Sequence, residues 1–415
     1  MNWQRSRFTR RSHRVAVKPP IASAVSDTPA ASRGPALRAI PKPRGFLAAE
    51  YSEEVDTVQR RRYRVAYDSI IRMCGQGLPG DDLFARVSGQ LSKAVTFRTA
   101  GWLRLDPKTL LPMPGLLLQA DHDRVSRIIH NEYFEPDVVK FRELARARVP
   151  AQSLWRATGG QLDQSTRYRN ILADLGNGDD VRVVFRSGST VWGSACLART
   201  AADQPFSRDD IFFLARVGEP VARGLRLSHL LAGNDSVGPA APGVLILDDD
   251  DGIISGTDAA QHWLTQLPPD HARGLDLPTA ILSAASRARA LAAGRPGVGI
   301  PEGRVRTAAG TWLRLHAARL TPDSPHGAGQ TAVILEPAKP ADLSPLILDL
   351  HGLTSRERQI TQLVLRGLPT ADIAQRLFIS RYTLSDHMKA IFAKLGVTSR
   401  PELTALLLDQ VLATS

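Results

Sequence analysis

Hydrophobic residues near the carboxyl end of the chain recur at intervals of three and four, a spacing typical of amphipathic helices. Thr354 and Glu357 form a capping-box pattern, in which a hydroxyl precedes a carboxylate by three positions. The predicted starts and stops are Thr354 and Gly367 for the first helix, Thr370 for the second, and Ser380 and Gly396 for the third. The pattern therefore predicts three short helices between residues 353 and 396.

The second and third of these helices are separated by about three residues, which is helix-turn-helix spacing. Ala374 provides the small residue that two crossing helices need. Their predicted inner faces are apolar and contain Ile373, Leu377, Ile379 and Leu384. The alternative is an ordinary helical hairpin inside a larger core. Because caps, stops and inner faces all agree, we favour the helix-turn-helix.

A helix in this position enters the major groove of DNA with its amino-terminal half. The outward positions are Arg381, Tyr382, Ser385, Asp386 and Lys389. Asp386 can accept a hydrogen bond from a cytosine amino group, although a carboxylate also repels phosphates. We expect phosphate contacts, which fix the register of a protein on DNA, from Thr354, Thr383, Lys394 and Arg400. His387 is interpreted as a packing residue within reach of a phosphate.

A fourth helix is predicted to begin at Ser399, with Glu402 as its capping partner. Its apolar positions are Leu403, Leu406, Leu407 and Val411. From the residues alone, this stripe covers the three-helix core.

The region 51–232 mixes helical and strand patterns. Two helices precede predicted strands at 100–106 and 115–119, and a helical stretch follows, with a further helix expected near 138–144. Two more strands, 181–187 and 190–199, flank a turn at Gly188. A long helix then begins after Ser207, with Asp210 three positions on. This order predicts an α+β sheet domain.

A second α+β region, 243–336, follows a Gly/Pro-rich linker at 233–242. Strand, turn and strand patterns come first, then helices including one at 277–293, then three strand patterns. The acidic run at 248–251 fits neither a calcium loop, because Leu247 occupies the first ligand position, nor a phosphoacceptor domain, because 291–300 contains no Asp. We interpret the run as a solvated hairpin turn.

The charge of the chain is concentrated at its two ends. The net charge is +12; residues 1–50 contain ten Lys/Arg against Asp27 and Glu50, and residues 351–415 contain eight against five. Basic ends suit a polyanionic partner. Residues 1–48 are predicted to be disordered, either as a basic arm on DNA or as a solvated tail or sequence upstream of the true start. With no apolar run of membrane-spanning length and no signal peptide, a cytoplasmic location is expected.

Little in the sequence points to catalysis. Cys74 and Cys196 form no metal-binding pattern, and no phosphate-binding loop or protease motif occurs. His122 and His130 could contact a ligand, but satisfied or surface histidines are the commoner case. The tryptophans of the first region, Trp102, Trp155 and Trp192, are expected in the core. We therefore expect no enzyme, no metal and no cofactor.

The carboxyl-terminal segment resembles the DNA-binding domain of LuxR-type transcriptional regulators. The matching elements are LT-x-RE at 353–357, GL at 367–368, IA at 373–374, IS at 379–380, Thr383, His387, KLGV at 394–397 and Ser399-Arg400. A basic residue usually follows the apolar residue after Thr383; Ser385 occupies that position here, and Asp386 beside it is unusual. The resemblance implies that the exposed part of the fourth helix pairs two protomers.

Two further resemblances concern the regions before it. WGSACLAR at 192–199 and PFSRDDIFFL at 205–214 are similar to GAF-type sensory domains, which commonly bind small molecules or form dimers. The segment 244–264 resembles the opening of a PAS domain. The expected architecture is a disordered tail (1–48), a GAF-like domain (51–232), a PAS-like domain (243–336) and an all-α helix-turn-helix domain (346–415).

Together these features predict a bacterial transcription regulator that binds double-stranded DNA as a homodimer, under control of a signal sensed by the GAF/PAS-like region. A small-molecule effector and RNA polymerase are candidate partners; no membrane is expected. One alternative is a constitutive or nucleoid-type DNA-binding protein whose middle domains only dimerise. A catalyst in the GAF-like region with a DNA-binding appendage is a second alternative, which no residue pattern supports.

Overall fold

The computed structural model describes residues 57–113, 122–231, 241–270, 276–321, 329–338, 346 and 348–412. The predicted tail at 1–48, the strand at 115–119 and most of the 233–242 linker lie outside the described residues. Within the described ranges, no helix combines the length and apolar composition that a membrane crossing requires.

The first region contains a four-stranded antiparallel sheet in the order β1-β4-β3-β2. Its strands are β1 (Thr99–Arg104), β2 (Ala151–Ser153), β3 (Asn177–Ser187) and β4 (Thr190–Thr200). Gly188, with a φ of 61°, forms the predicted turn between β3 and β4. β1 stops short of the predicted end at residue 106, because Asp106 leaves the strand to accept hydrogen bonds from the N–H groups of Lys108 and Thr109.

Helices cover both faces of this sheet. They are α1 (Thr57–Cys74), α2 (Gly80–Leu91), α3 (His122–Phe134), α4 (Phe141–Leu144), α5 (Leu154–Ala157) and α6 (Arg208–Leu231). α4 begins later than the predicted 138–144, since Val139 has a φ of 60° and interrupts the helical backbone. Ser207 and Asp210 form the predicted cap of α6, each accepting from the other's N–H at 3.0 Å.

The two faces of β3 differ in character because side chains alternate along a strand. Val181, Val183 and Phe185 point to the face on which α1, α2 and α6 pack. Asp180 and Arg182 point to the opposite face and are nevertheless almost completely buried. A charged layer therefore lies beneath one side of the sheet.

The second region forms a five-stranded antiparallel sheet in the order β6-β5-β9-β8-β7. Its elements are β5 (Gly243–Leu247), β6 (Ile253–Gly256), α7 (Asp258–Gln266), α8 (Thr279–Ala292), β7 (Glu302–Arg306), β8 (Trp312–Leu320) and β9 (Gln330–Pro337). The predicted order of strands and helices is found. α8 packs on β8 and β9 and is buried along nearly its whole length.

The acidic turn between β5 and β6 is a hairpin turn, as predicted, with Asp249 and Asp250 exposed, but some of its carboxylates also have protein partners. Asp251 is mostly buried in an ion pair with Arg289, and Asp249 pairs with Arg319. Asp248 accepts the N–H groups of Asp250 and Gly252 through Oδ1. Each of these three carboxylates thus has a protein partner.

The carboxyl-terminal region is all helical. Its helices are α9 (Ser355–Leu365), α10 (Thr370–Arg376), α11 (Arg381–Leu395) and α12 (Arg400–Leu412). Their buried apolar residues include Ile360, Ile373, Leu384, Ile391 and Leu403. The four predicted helices are present, and the start of each lies within one residue of its prediction.

Candidate nucleic-acid interface

The start of α9 is fixed by the capping box that the sequence predicts. Thr354 Oγ1 accepts the N–H of Glu357, and Glu357 Oε2 accepts the N–H of Thr354 at 2.7 Å. The same carboxylate oxygen accepts Lys394 Nζ from α11 at 2.5 Å. Burial alone would raise the pKa of Glu357, but these two donors hold it below its usual value. One carboxylate thus caps α9 and ties it to α11.

The turn between α10 and α11 places α11 against α10. The N–H groups of Phe378 and Ile379 donate to carbonyls of α10, and Arg356 Nη2 donates to the Leu377 carbonyl at 2.5 Å. Phe378 itself has a φ of 54° and is 96% exposed. A left-handed residue directly after a helix is usually glycine, so this turn is strained at a bulky residue.

The amino terminus of α11 is capped by a side chain. Ser380 Oγ accepts the N–H of Thr383 at 3.0 Å, and the two hydroxyl oxygens lie 2.9 Å apart. Such a cap leaves other N–H groups of the first turn pointing outward, where the positive end of the helix dipole favours an anion. The hydroxyl of Thr383 is exposed at the same end of the helix.

The inner and outer faces of α11 separate as predicted. Leu384, Ile391 and Leu395 are buried against the other helices. Within Arg381–Lys389, the exposed residues are Arg381, Tyr382, Thr383, Ser385, Asp386 and Lys389. His387 is only half-buried, between these two faces. All the predicted base-contacting residues are therefore accessible on one helix.

Asp386 and Lys389 form an ion pair on this exposed face. Their charged atoms lie 3.5 Å apart, with the side chains 52% and 75% exposed. A pair this open to water is weak, so an incoming phosphate or base can separate it. The carboxylate offsets part of the positive charge that Arg381 and Lys389 present.

Three of the four predicted phosphate-contacting residues are engaged within the domain. Thr354 caps α9, and Lys394 is bound to Glu357. Arg400 Nη2 donates to the carbonyls of Val364 and Leu368 at 3.3 and 2.6 Å. The contacts give these residues structural roles, and their phosphate contacts stay predictions.

The cap of α12 differs from the prediction in the residue that the Glu402 carboxylate contacts. Ser399 Oγ accepts the N–H of Glu402, as expected for an N-cap. The Glu402 carboxylate, however, accepts the N–H and the hydroxyl of Thr398 instead of the N–H of Ser399. Leu403 and Leu407 are buried and Leu406 is half-buried; Val411 lies outside the described side chains.

The sequence alone did not identify Phe378 as a surface residue. It is the most exposed large hydrophobic side chain among the described residues, and Tyr382, four positions later, is 77% exposed. Its position in the turn between two helices could have indicated exposure, because a side chain there has no core to pack against.

Four short helices, with the second and third joined by a tight turn and the third presenting a polar face, define a helix-turn-helix DNA-binding domain. Residues 351–407 match the family model of bacterial regulatory proteins of the luxR family. The chain belongs to the luxR family.

Relatives of known type match this segment. The spore germination protein GerE of Bacillus subtilis is 39% identical over 56 residues, covering 14% of this chain and 76% of that protein. The nitrate/nitrite response regulator NarL of Escherichia coli is 43% identical over 54 residues, which cover 13% of this chain and 25% of NarL. A putative HTH-type transcriptional regulator of Mycobacterium bovis is 47% identical over 52 residues, which cover 12% of this chain and 6% of that protein. The match thus spans a small part of the mycobacterial relative.

Among solved structures, a VqmA–ligand–DNA complex of Vibrio cholerae covers 42% of this chain and 84% of its own, with 15% identity and a TM-score of 0.20. A TM-score this low supports no conclusion about fold or function.

Proposed function

We propose that α11 binds double-stranded DNA in the major groove, and that the region before it controls this binding in response to a signal. One observation supports the first part: Arg381–Lys389, which follow the capped amino terminus of α11, expose six polar or aromatic residues, while the opposite face of the helix is buried. A helix anchored in this way can insert its first turns into a groove about 12 Å wide without unfolding.

We assign base contacts to the exposed positions of α11. Arg381 and Lys389 supply donors suited to guanine, and Asp386 supplies an acceptor suited to the cytosine amino group. Tyr382 and Thr383 flank the helix amino terminus, where sugar and phosphate contacts are expected. Ser385 replaces the basic residue common in the family, so the DNA sequence preferred should differ from that of typical members.

The sensing role is assigned to the two sheet domains, as GAF-like and PAS-like modules. The antiparallel sheet orders and the cavity beside the first sheet support this assignment. A small-molecule effector is the expected signal, and RNA polymerase is a further candidate partner.

The protein is further proposed to act as a homodimer through α12, whose Leu406 is only partly covered within one chain. A two-fold dimer requires a near-palindromic site with half-sites about one helical turn apart.

Selection of bound fragments from random double-stranded DNA by the full chain tests the proposal. Enrichment of an inverted repeat supports sequence-specific binding by a dimer. Recovery of DNA without a shared motif would favour the constitutive, nucleoid-type alternative, and recovery of none would contradict DNA binding itself.

A further inference from the structure

A cavity of about 440 Å³ lies against the charged face of the first sheet. α3 forms one wall, and Thr279, Ser283 and Arg287 of α8 form another. α8 belongs to the second sheet domain, so residues of both domains enclose the same space. The volume is within the range of small-molecule sites.

The lining of the cavity combines apolar walls with a large excess of positive charge. Leu103, Val125, Ile128 and Ile171 contribute hydrocarbon surface. Eight Lys and Arg residues line the cavity, whereas its carboxylates are Glu132 and Asp180. A cavity of this composition attracts an anion that also has an apolar part.

Among the described residues, Arg167 is the buried side chain with the largest number of nitrogen atoms that lack a hydrogen-bond partner. Its side chain is 2% exposed, and Nη2 lies 2.9 Å from Asp180 Oδ2. Nε and Nη1 have no hydrogen-bond partner among the described residues. Leaving such donors unpaired inside a protein costs about 1–3 kcal/mol or more. Burial and the nearby Arg182 guanidinium also lower the pKa of Arg167, as expected for an undercompensated cation.

Arg182 does not relieve this imbalance. Its Nη1 donates to Glu132 Oε2 at 2.9 Å, and its Nε lies 3.9 Å from the same Asp180 oxygen that faces Arg167. Asp180 is thus shared between two buried guanidinium groups. Two carboxylates thus face the two guanidinium groups, but Nε and Nη1 of Arg167 still lack an acceptor among the described residues.

Polar atoms of α8 face the cavity as well. Thr279 Oγ1 and Ser283 Oγ are both buried and have no hydrogen-bond partner among the described residues. These hydroxyls are close to the space lined by Arg167 but belong to the other domain. A ligand that filled the cavity would therefore have partners on both.

We propose that this cavity binds a small amphipathic anion, whose carboxylate or phosphate head is held by Arg167 and whose apolar body lies against the aliphatic walls. The hydroxyls of α8 complete the polar contacts, so the bound anion links the two sheet domains. The inference rests on the proposed sensing role and names the class of effector. Cys196 lines the same cavity, but burial raises the pKa of its thiol to about 11, which leaves a neutral thiol and a non-covalent site.

Isothermal titration of the full chain with decanoate, decyl phosphate and decan-1-ol tests the proposal. We expect at least one of the two anions to bind at least tenfold more tightly than the alcohol of equal chain length, and the tighter anion identifies the head group. Equal binding of all three, or no binding of either anion, would overturn it.

Two variants test the role of Arg167. Arg167→Gln combined with Asp180→Asn removes both charges together, so that the Asp180 carboxylate is not left without Arg167. This double variant should bind the anion at least tenfold more weakly and should bind decan-1-ol with unchanged affinity. Arg64→Gln, an exposed arginine on α1, is the matched control. Leu172→Trp, at a half-exposed cavity position, should reduce binding of all three probes. Wild-type anion binding by a folded double variant would contradict the assignment.

DNA binding is measured separately on the same samples. Anion binding that leaves DNA affinity unchanged supports the cavity assignment and contradicts the sensing role. A wild-type chain that binds DNA but binds neither anion more tightly than decan-1-ol contradicts the cavity assignment and leaves the proposed DNA binding intact.

Discussion

Asp106 and Arg304 form a bidentate ion pair buried between the two sheet domains. Arg304 Nε and Nη2 donate to the two carboxylate oxygens at 2.8 and 3.0 Å, and the side chains are 1% and 5% exposed. Asp106 follows β1 of the first sheet, and Arg304 lies in β7 of the second. Burial alone would raise the pKa of Asp106, but the hydrogen bonds and charge of Arg304 hold it below its usual value. The pair fixes the junction beside the proposed effector cavity.

Asp106→Asn should destabilise the protein strongly. Removing one partner of a buried pair leaves the other charge uncompensated, which costs about 3–5 kcal/mol. The midpoint of urea unfolding, followed by tryptophan fluorescence, provides the measurement. Asp249→Asn, in the exposed pair with Arg319, is the control and should cost less than about 1 kcal/mol. Similar small losses in both variants would show that the buried pair does not fix the junction.

His229 at the end of α6 makes stability depend on pH. Its ring lies between Trp192 and Trp312, with centroid distances of 6.0 and 5.9 Å. Burial, with the nearby charges of Arg104 and Arg306, lowers the pKa of His229 to about 3. Between about pH 6.5 and 3 the unfolded chain binds the additional proton, so stability is lost as pH falls.

We expect the free energy of unfolding to drop between pH 7.5 and 5 by up to about 2 kcal/mol more in the wild type than in His229→Phe. The phenylalanine keeps an aromatic ring between the tryptophans but cannot titrate. Urea titrations at the two pH values measure the difference. Parallel losses in the two proteins would mean that His229 has an ordinary pKa.

Arg400 is expected to stabilise the helix-turn-helix domain. Its guanidinium donates to two carbonyls at the end of α9, and losing charged hydrogen bonds of this kind costs about 1.5–3 kcal/mol. Arg400→Ala should lower the melting temperature. At temperatures well below the transition it should also weaken DNA binding, because the predicted phosphate contact is lost. Arg381→Ala, at an exposed position, should weaken DNA binding and leave the melting temperature unchanged. An Arg400→Ala protein with the melting temperature of the wild type would contradict the stabilising role.

Phe378 offers a stabilising substitution. Its backbone is left-handed, a conformation that costs a residue with a Cβ about 1–2 kcal/mol, and its exposed ring contributes little packing. Phe378→Gly should therefore raise stability by roughly 0.5–1 kcal/mol, after the greater chain entropy of glycine is subtracted. Phe378→Ala keeps the Cβ and serves as the control. A larger gain from alanine than from glycine in thermal unfolding would contradict this explanation.

The sequence predicted the carboxyl-terminal helices well because their signals are local. Thr354, Ser380, Gly367 and Gly396 act within a turn of their own positions, and the structure has each of them where its pattern required. Arg400 and Lys394 were harder, since their partners lie 32 to 37 positions away. A basic residue near DNA and one that binds a helix terminus look alike in sequence.

The cavity could not be predicted from the sequence, because the residues that line it lie far apart along the chain. Asp180 and Arg182 alternate along a strand, which is also the pattern of a solvated face. Only the tertiary arrangement buries them, with Glu132 of α3, the Val139 carbonyl and the Phe141 ring against Arg182. Val139, with its left-handed backbone, likewise has no sequence signal because β-branched residues rarely adopt it.

The central claim, that α11 contacts DNA bases, is tested most directly by the affinity of Lys389→Ala for the selected site. Fluorescence anisotropy should show binding weakened by about 1–3 kcal/mol, with relaxed preference at one base pair and unchanged melting temperature. Lys93→Ala, an exposed lysine of the first domain, should bind as the wild type does. Wild-type affinity and wild-type sequence preference in Lys389→Ala would contradict the claim.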